Sequence, residues 1–301
     1  MILVILLHAL FALTFPLAKI AVSSSEPLFF TGVRMILGGS LLLAYQYYRD
    51  KKVFFDVKKY WSYIVGLAFF NVFLTNATEY WSLKYLTSAK ASFIYSICPF
   101  ISAILSYFLF SEKITKKKLL GMAIGATGFL LILLNDTHLE EQSGSMWFLS
   151  WAELVMIVAA FATVYGWIIM RQLINKSPSS LLAANGYSMV LGSIFSFVAS
   201  YFFDNQKALI VDSQNFLLSL FSIVFLSNIV CYNLYAYLLK KYTATFISFV
   251  GFIEPLFAAF YGYLLLGETI SSQFFLASLI VLIGLYVFYS EELRQGYIAS
   301  N

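Results

Sequence analysis

The chain has 301 residues, of which 61% are hydrophobic and 11% charged, with a formal net charge of +4 and a mean hydropathy of +0.82. So few charges cannot cover a water-soluble surface of this length. Lipid is the solvent for most of the chain, and the basic excess reports membrane orientation rather than nucleic-acid binding. Two cysteines without a CxxC pair and two histidines without a ligand cluster argue against disulfides and zinc.

A membrane-spanning helix needs about 20 apolar residues. Cutting the chain at its charged and turn-rich stretches predicts ten spans, at 2–22, 27–48, 61–82, 87–110, 116–134, 147–170, 179–203, 215–238, 243–266 and 272–290. The first, MILVILLHALFALTFPLAKIAV, has no basic leader and no small-residue cleavage site, so it is read as a span rather than a removed signal peptide. Joints such as RDKKVFFDVKKY and SEKITKKK are too short to form a domain. Basic loops stay cytoplasmic. With the N-terminus inside, the inner connections hold fourteen Lys and Arg, against Lys84, Lys90 and Lys207 outside. The expectation is a multi-pass protein of the bacterial inner (cytoplasmic) membrane with both termini cytoplasmic. Richness in Phe, Ile, Tyr, Lys and Asn hints at an AT-biased genome, as in a host-dependent bacterium that imports metabolites.

Shifted by 156, the sequence overlays itself without a gap across spans 4–5 and 9–10. Pro99 meets Pro255, Glu112 meets Glu268, Tyr107 meets Tyr263, and Gly128 meets Gly284. Five spans per copy, an odd number, force the second copy upside down. The predicted fold is therefore an all-α polytopic membrane protein, with ten transmembrane helices as two inverted five-helix repeats around a central cavity. The halves are 1–138 and 139–301. Inverted repeats place a site near the membrane midplane. Irregular backbone at that depth is tolerated where it is buried or lines a cavity, so Pro99 and Pro255 are read as hinges flanking that site.

These features resemble the EamA-type branch of the drug/metabolite transporter superfamily, over essentially the whole chain. The resemblance rests on FALTFPLAKIAV in span 1, Arg34 early in span 2, TSAKASFIYSICPFISAILSYFLFSEKI with the glycine-rich span after it, and EPLFAAFYGYLLLGETI in the second half. It implies a ten-span carrier with a central cavity. Where that family usually has tryptophan-glycine, span 1 has Phe11-Ala12-Leu13-Thr14.

An ionisable group inside a span costs roughly 2.5–3.5 kcal/mol on insertion scales and faces the protein interior. Glu254, directly before Pro255, and Glu79 are the candidates for the site. Asn71, Thr75 and Glu79 share one helical face, read as a cavity wall or as glue between helices. Asn76, Trp81, Tyr95, Tyr165, Asn228 and Tyr232 complete the polar and aromatic candidates. Lys19 and Arg34 are the cations able to meet a substrate anion, with snorkelling and helix locking as the alternatives. Glu153 is read as solvated at a span end. Glu112 and Glu268 are read as caps or loop anchors. Gly121, Gly125 and Gly128 form a small-residue face for packing inside the chain, or else a dimer seam.

No GxxxxGK[ST] loop, HExxH or GxSxG is present, and no cofactor is expected. A secondary carrier, driven by a coupling proton or a counter-transported solute, is favoured over a membrane enzyme or a receptor. It would act as a monomer or homodimer. Acids with aromatic faces suit a cation, so the predicted substrate is a small organic molecule with a cationic moiety: an amino acid, an amine, or a sulfonium nucleoside such as S-adenosylmethionine. The alternative is a proton-coupled exporter of neutral or anionic metabolites or drugs.

Overall fold

The computed structural model describes residues 2–110, 114–133, 138–147, 149–177, 181–242, 246–247 and 250–295. Glu112 and the start of the predicted ninth span lie outside them. Helices α1 (Ile2–Ser24) and α2 (Pro27–Arg49) open the chain. Short α3 (Lys51–Asp56) and a 3-10 turn lead into a continuous segment made of α4 (Trp61–Leu67), a π-helical stretch Ala68–Leu74, and α5 (Thr75–Leu83). Next come α6 (Ser88–Tyr95), α7 (Cys98–Phe110), α8 (Lys116–Leu133) and short α9 (His138–Glu141). A two-residue antiparallel pair, β1 (Ser145–Met146) with β2 (Leu149–Ser150), precedes α10 (Trp151–Lys176) and α11 (Leu181–Phe203). Then α12 (Ser213–Ile223), a second π-helical stretch Val224–Cys231, and α13 (Tyr232–Leu238) run on as one segment. A 3-10 turn, Gly251–Ile253, leads into α14 (Glu254–Leu266), followed by α15 (Ser272–Gln295).

Seven helical segments among the described residues are long and apolar enough to cross a membrane. Large apolar side chains such as Phe202, Leu217, Phe221, Phe225 and Tyr286 stand exposed along them, as lipid-facing residues do. The predicted spans at 61–82, 116–134 and 243–266 fall short for physical reasons. The first carries the polar Asn71, Asn76 and Glu79, α8 begins with three lysines, and in the third the described apolar helix, Gly251–Leu266, is shorter.

Local chemistry sets the helix ends. Asp212 accepts from the amides of Gln214 and Asn215 at the start of α12, and Thr87 accepts from Lys90 N at the start of α6. Ser150 and Glu153 form a reciprocal capping box on α10. α10 therefore begins at Trp151 rather than at 147, because the hairpin takes up the residues before it. Gly267, at φ 64°, ends α14 in the left-handed conformation that glycine adopts without cost.

Pro99 and Pro255 do not kink helices from within. Pro99 is the second residue of α7 and Pro255 the second of α14. A first-turn amide has no partner inside the helix, so proline fits there. Each span breaks and restarts one residue before its proline. Glycines set the closest crossings. A Cβ on Gly121 would lie 2.6 Å from Gly284 O, and one on Gly128 would lie 2.9 Å from Ala277 O. The small-residue face of α8 thus packs on α15 within the chain.

Candidate functional site

Where α1, α2, the two π-interrupted segments, α10 and the two proline restarts converge, they enclose a cavity. It holds about 840 Å³ of empty space, counting the part open to the outside. Of the predicted residues, Arg34, Asn71, Asn76, Glu79, Tyr95, Tyr232 and Glu254 line it. Pro99 and Pro255 are buried just behind Cys98 and Glu254, which face it.

Three polar groups stand on its wall. In the first, Arg34, buried on α2, donates to the Tyr80 hydroxyl and, at 2.6 Å, to Asn76 Oδ1. Its guanidinium also lies 5.2 Å from the centre of the Tyr80 ring. Asn76 Nδ2 donates to Val72 O at 2.6 Å and to the Tyr232 hydroxyl at 3.3 Å, and that hydroxyl donates to Asn71 O at 3.2 Å. The wider π turn re-aims these carbonyls toward side chains, a use typical of π bulges at functional sites.

In the second group, the Tyr95 hydroxyl donates to Glu79 Oε2 at 2.9 Å. The Thr163 hydroxyl sits between Tyr95, at 3.3 Å, and Thr75, at 3.1 Å. Phe15 packs edge-on against the Tyr95 ring, with centroids 5.6 Å apart.

In the third group, His8 Nδ1 faces Glu254 Oε1 at 2.5 Å, and His8 Nε2 donates to Ile247 O at 2.9 Å. A Cβ at Gly251 would lie 2.8 Å from His8 Cε1, so the ring reaches Glu254 over a glycine. Between the groups runs an aromatic wall. Trp167 and Tyr235 stack at 4.0 Å and 15°, with Tyr232 tilted against Trp167 at 5.5 Å.

Four predicted residues lie elsewhere. Trp81 and Tyr165 are each two positions from a lining residue, about 200° around the helix. Trp81 packs on Tyr85, and Tyr165 packs on Phe70 and Phe161. Asn228 is buried with its amide on the sulfurs of Met35 and Met189, at 3.0 and 3.6 Å. Lys19 donates to Leu86 O at 2.5 Å and pairs with Glu268 at 3.4 Å. The expectation for Glu153 is overturned. It is fully buried, 2.8 Å from Lys90 Nζ, which also meets Glu140 at 2.6 Å. Lys90, counted by sequence as a loop cation, is itself buried on α6.

The structure adds lining residues that pattern did not reveal: His8, Phe11, Thr14, Phe15, Ser96, Thr163, Trp167, Ser227 and Tyr235. The one available signal was His8, a lone imidazole inside an apolar run.

The sequence profile of the EamA-like transporter family matches residues 1–134 and 150–290. The chain belongs to that family. It is 38% identical over 290 residues to the S-adenosylmethionine/S-adenosylhomocysteine transporter of Chlamydia muridarum, covering 96% of this chain and 91% of that one. To the protein of the same name from Chlamydia trachomatis serovar L2 it is 35% identical, covering 96% and 88%. A solved structure 15% identical in sequence matches the fold with a TM-score of 0.66, over 96% of this chain and 95% of that one. As a member of the EamA-like family, within the drug/metabolite transporter superfamily, the chain is a multi-span membrane transporter of small molecules and not an enzyme.

Proposed function

We propose that the cavity is the binding site of a secondary carrier for S-adenosylmethionine and S-adenosylhomocysteine. The carrier works by alternating access between two inverted five-helix halves, in the bacterial inner membrane with both termini cytoplasmic. One observation carries the substrate assignment. A carboxylate with a tyrosine donor (Glu79, Tyr95), a stacked aromatic wall (Trp167, Tyr235) and a guanidinium (Arg34) line one space. Those three features suit, in turn, a sulfonium or ammonium group, a purine and a carboxylate. Arg34 Nε is buried without a hydrogen-bond partner among the described residues, which leaves a donor for the last. The names of the Chlamydia relatives support the same reading.

The repeat has support in the contacts. The two π stretches begin at Ala68 and Val224, separated by the same 156 residues as the prolines. Asn76 and Tyr232, also 156 apart, hydrogen-bond to each other, as residues beside a pseudo-two-fold axis would. The Gly121–Gly284 contact has its exchanged counterpart in Ala277 with Gly128. With no nucleotide-binding loop, the driving force is exchange of one solute for the other or a coupled proton.

The test is calorimetric titration of the purified protein with each ligand, together with counterflow of labelled S-adenosylmethionine in liposomes. Saturable binding of both ligands and mutual counterflow are expected. Replacing Glu79 by Gln should weaken S-adenosylmethionine more than S-adenosylhomocysteine, by about tenfold or more, the scale of a lost charge-assisted interaction. Failure of either ligand to bind would refute the assignment.

A further inference from the structure

The His8–Glu254 pair has no role in the substrate contacts above, yet both residues line the cavity. The His8 Nε2 partner is a backbone carbonyl, which only accepts, so Nε2 keeps its hydrogen. Nδ1 then faces a carboxyl oxygen at 2.5 Å. Two lone pairs do not face each other at that separation, so one further proton lies between them. With it, the pair is neutral as a unit, whether written imidazolium–carboxylate or imidazole–carboxylic acid. Without it, the pair carries one negative charge and a carboxylate oxygen is released toward the cavity.

The proposed cargoes differ in charge by the same amount. S-adenosylmethionine carries a sulfonium, an ammonium and a carboxylate, one net positive charge. S-adenosylhomocysteine has a thioether in place of the sulfonium and is net neutral.

We propose that His8 and Glu254 form a charge-balancing proton site. The pair holds its proton while the thioether cargo occupies the cavity and releases it to water when the sulfonium cargo binds. Exchange of the two cargoes then moves one cation one way and one proton the other, with no net charge crossing the membrane.

The surrounding groups are compatible with this role. Glu79 on α5 acts on Glu254 through its charge but has its own donor in Tyr95 of α6. The Cys98 and Cys231 thiols lie within electrostatic reach of Glu254 but are weak acids. The Tyr232 hydroxyl is bound to Asn71 and Asn76, and Arg34 is engaged with Tyr80 and Asn76. Tyr235 contributes a phenol to the lining. On α1 the other cation, Lys19, is tied to Glu268. A proton can thus leave the pair without breaking another lining contact.

The inference rests on the substrate reading, and its test separates the two. Binding of each cargo is measured by calorimetry in buffers of different ionisation enthalpy, from about pH 4 to pH 8, the interval that spans the ordinary carboxylate and imidazole ranges. S-adenosylmethionine should release up to about one proton per molecule bound, and S-adenosylhomocysteine none. Glu254→Gln keeps a donor toward Nδ1 and imitates the protonated pair. It should weaken S-adenosylmethionine roughly tenfold or more relative to S-adenosylhomocysteine, and release no proton with either cargo. His8→Gln, a second variant in case the first does not fold, should also bind S-adenosylmethionine without proton release near neutral pH. Binding of both cargoes with no difference in proton release overturns the proposal and leaves the substrate reading standing. Release that persists in both variants assigns the proton to Glu79 and overturns it as well. Failure of either cargo to bind overturns both.

Discussion

Lys90→Met should be among the most damaging single substitutions outside the cavity. Lys90 Nζ lies 2.6 Å from Glu140 and 2.8 Å from Glu153, and both carboxylates are at 0% exposure. Methionine keeps most of the side-chain volume and removes only the ammonium. Breaking a buried pair by deleting one partner costs about 3–5 kcal/mol, because the remaining charge stays buried without compensation. Each kcal/mol lowers Tm by roughly 2–4 °C in chains of this order of size, so the expected loss is about 6–20 °C. Intrinsic tryptophan fluorescence during heating in detergent reads it directly. The decisive control adds Glu140→Gln and Glu153→Gln to Lys90→Met. Glutamine at 153 still accepts from Ser150 N and preserves the capping box. With the negative charges gone, the triple variant should regain much of the lost stability. A Lys90→Met protein that melts with the wild type, or a triple variant no better than the single one, would refute the account of the cluster as a charge-compensated core. The consequence reaches the site, because this cluster joins the first turns of α6 and α10, and those helices go on to carry Tyr95 and Thr163.

Gly121→Ala and Gly284→Ala should each destabilise by about 1–3 kcal/mol or more, the cost of overpacking, since the new Cβ would meet backbone atoms at 2.6 Å. Gly66→Ala is the contrast: its Cβ meets only the flexible Ile169 side chain, Cδ1 at 3.2 Å and Cγ2 at 3.8 Å, so the same melting assay should show little change or a gain of about 0.5–1 kcal/mol from helix propensity. For orientation, single cysteines at Ser23 and Lys117, both exposed, in a background lacking Cys98 and Cys231, should be labelled from outside and from inside respectively; labelling of Lys117→Cys by an impermeant reagent in intact cells would reverse the topology.

Different parts of this molecule were written into its sequence at different ranges. The span edges were legible within two or three residues at α1, α2 and α11, because lipid selects each apolar segment locally and charged joints end it. Glu79 was legible for the same reason, since an acid inside an apolar helix must face inward. Azimuth was harder. Trp81 and Tyr165 are chemically as suitable for an aromatic wall as Trp167 and Tyr235, and only the rotation of α5 and α10 turns the first two away. Glu153 shows the limit of reading depth from sequence. A charge near a span end looks solvated until its counter-charge is known, and Lys90 and Glu140 reach it from other elements. The prolines marked irregular backbone, while its form was not legible, because a mid-span proline is equally compatible with a kinked helix. These two spans end before the proline instead, and the restart turns Cys98 in one span and Glu254 in the other toward the cavity. His8 and Glu254 had no pattern linking them across 246 residues. What brings them together is the restart at Glu254, the glycine at 251 that lets the imidazole approach, and the carbonyl of Ile247 that settles which ring nitrogen faces the acid. Each of those is a property of backbone geometry, which a reading of residue types along the chain does not contain.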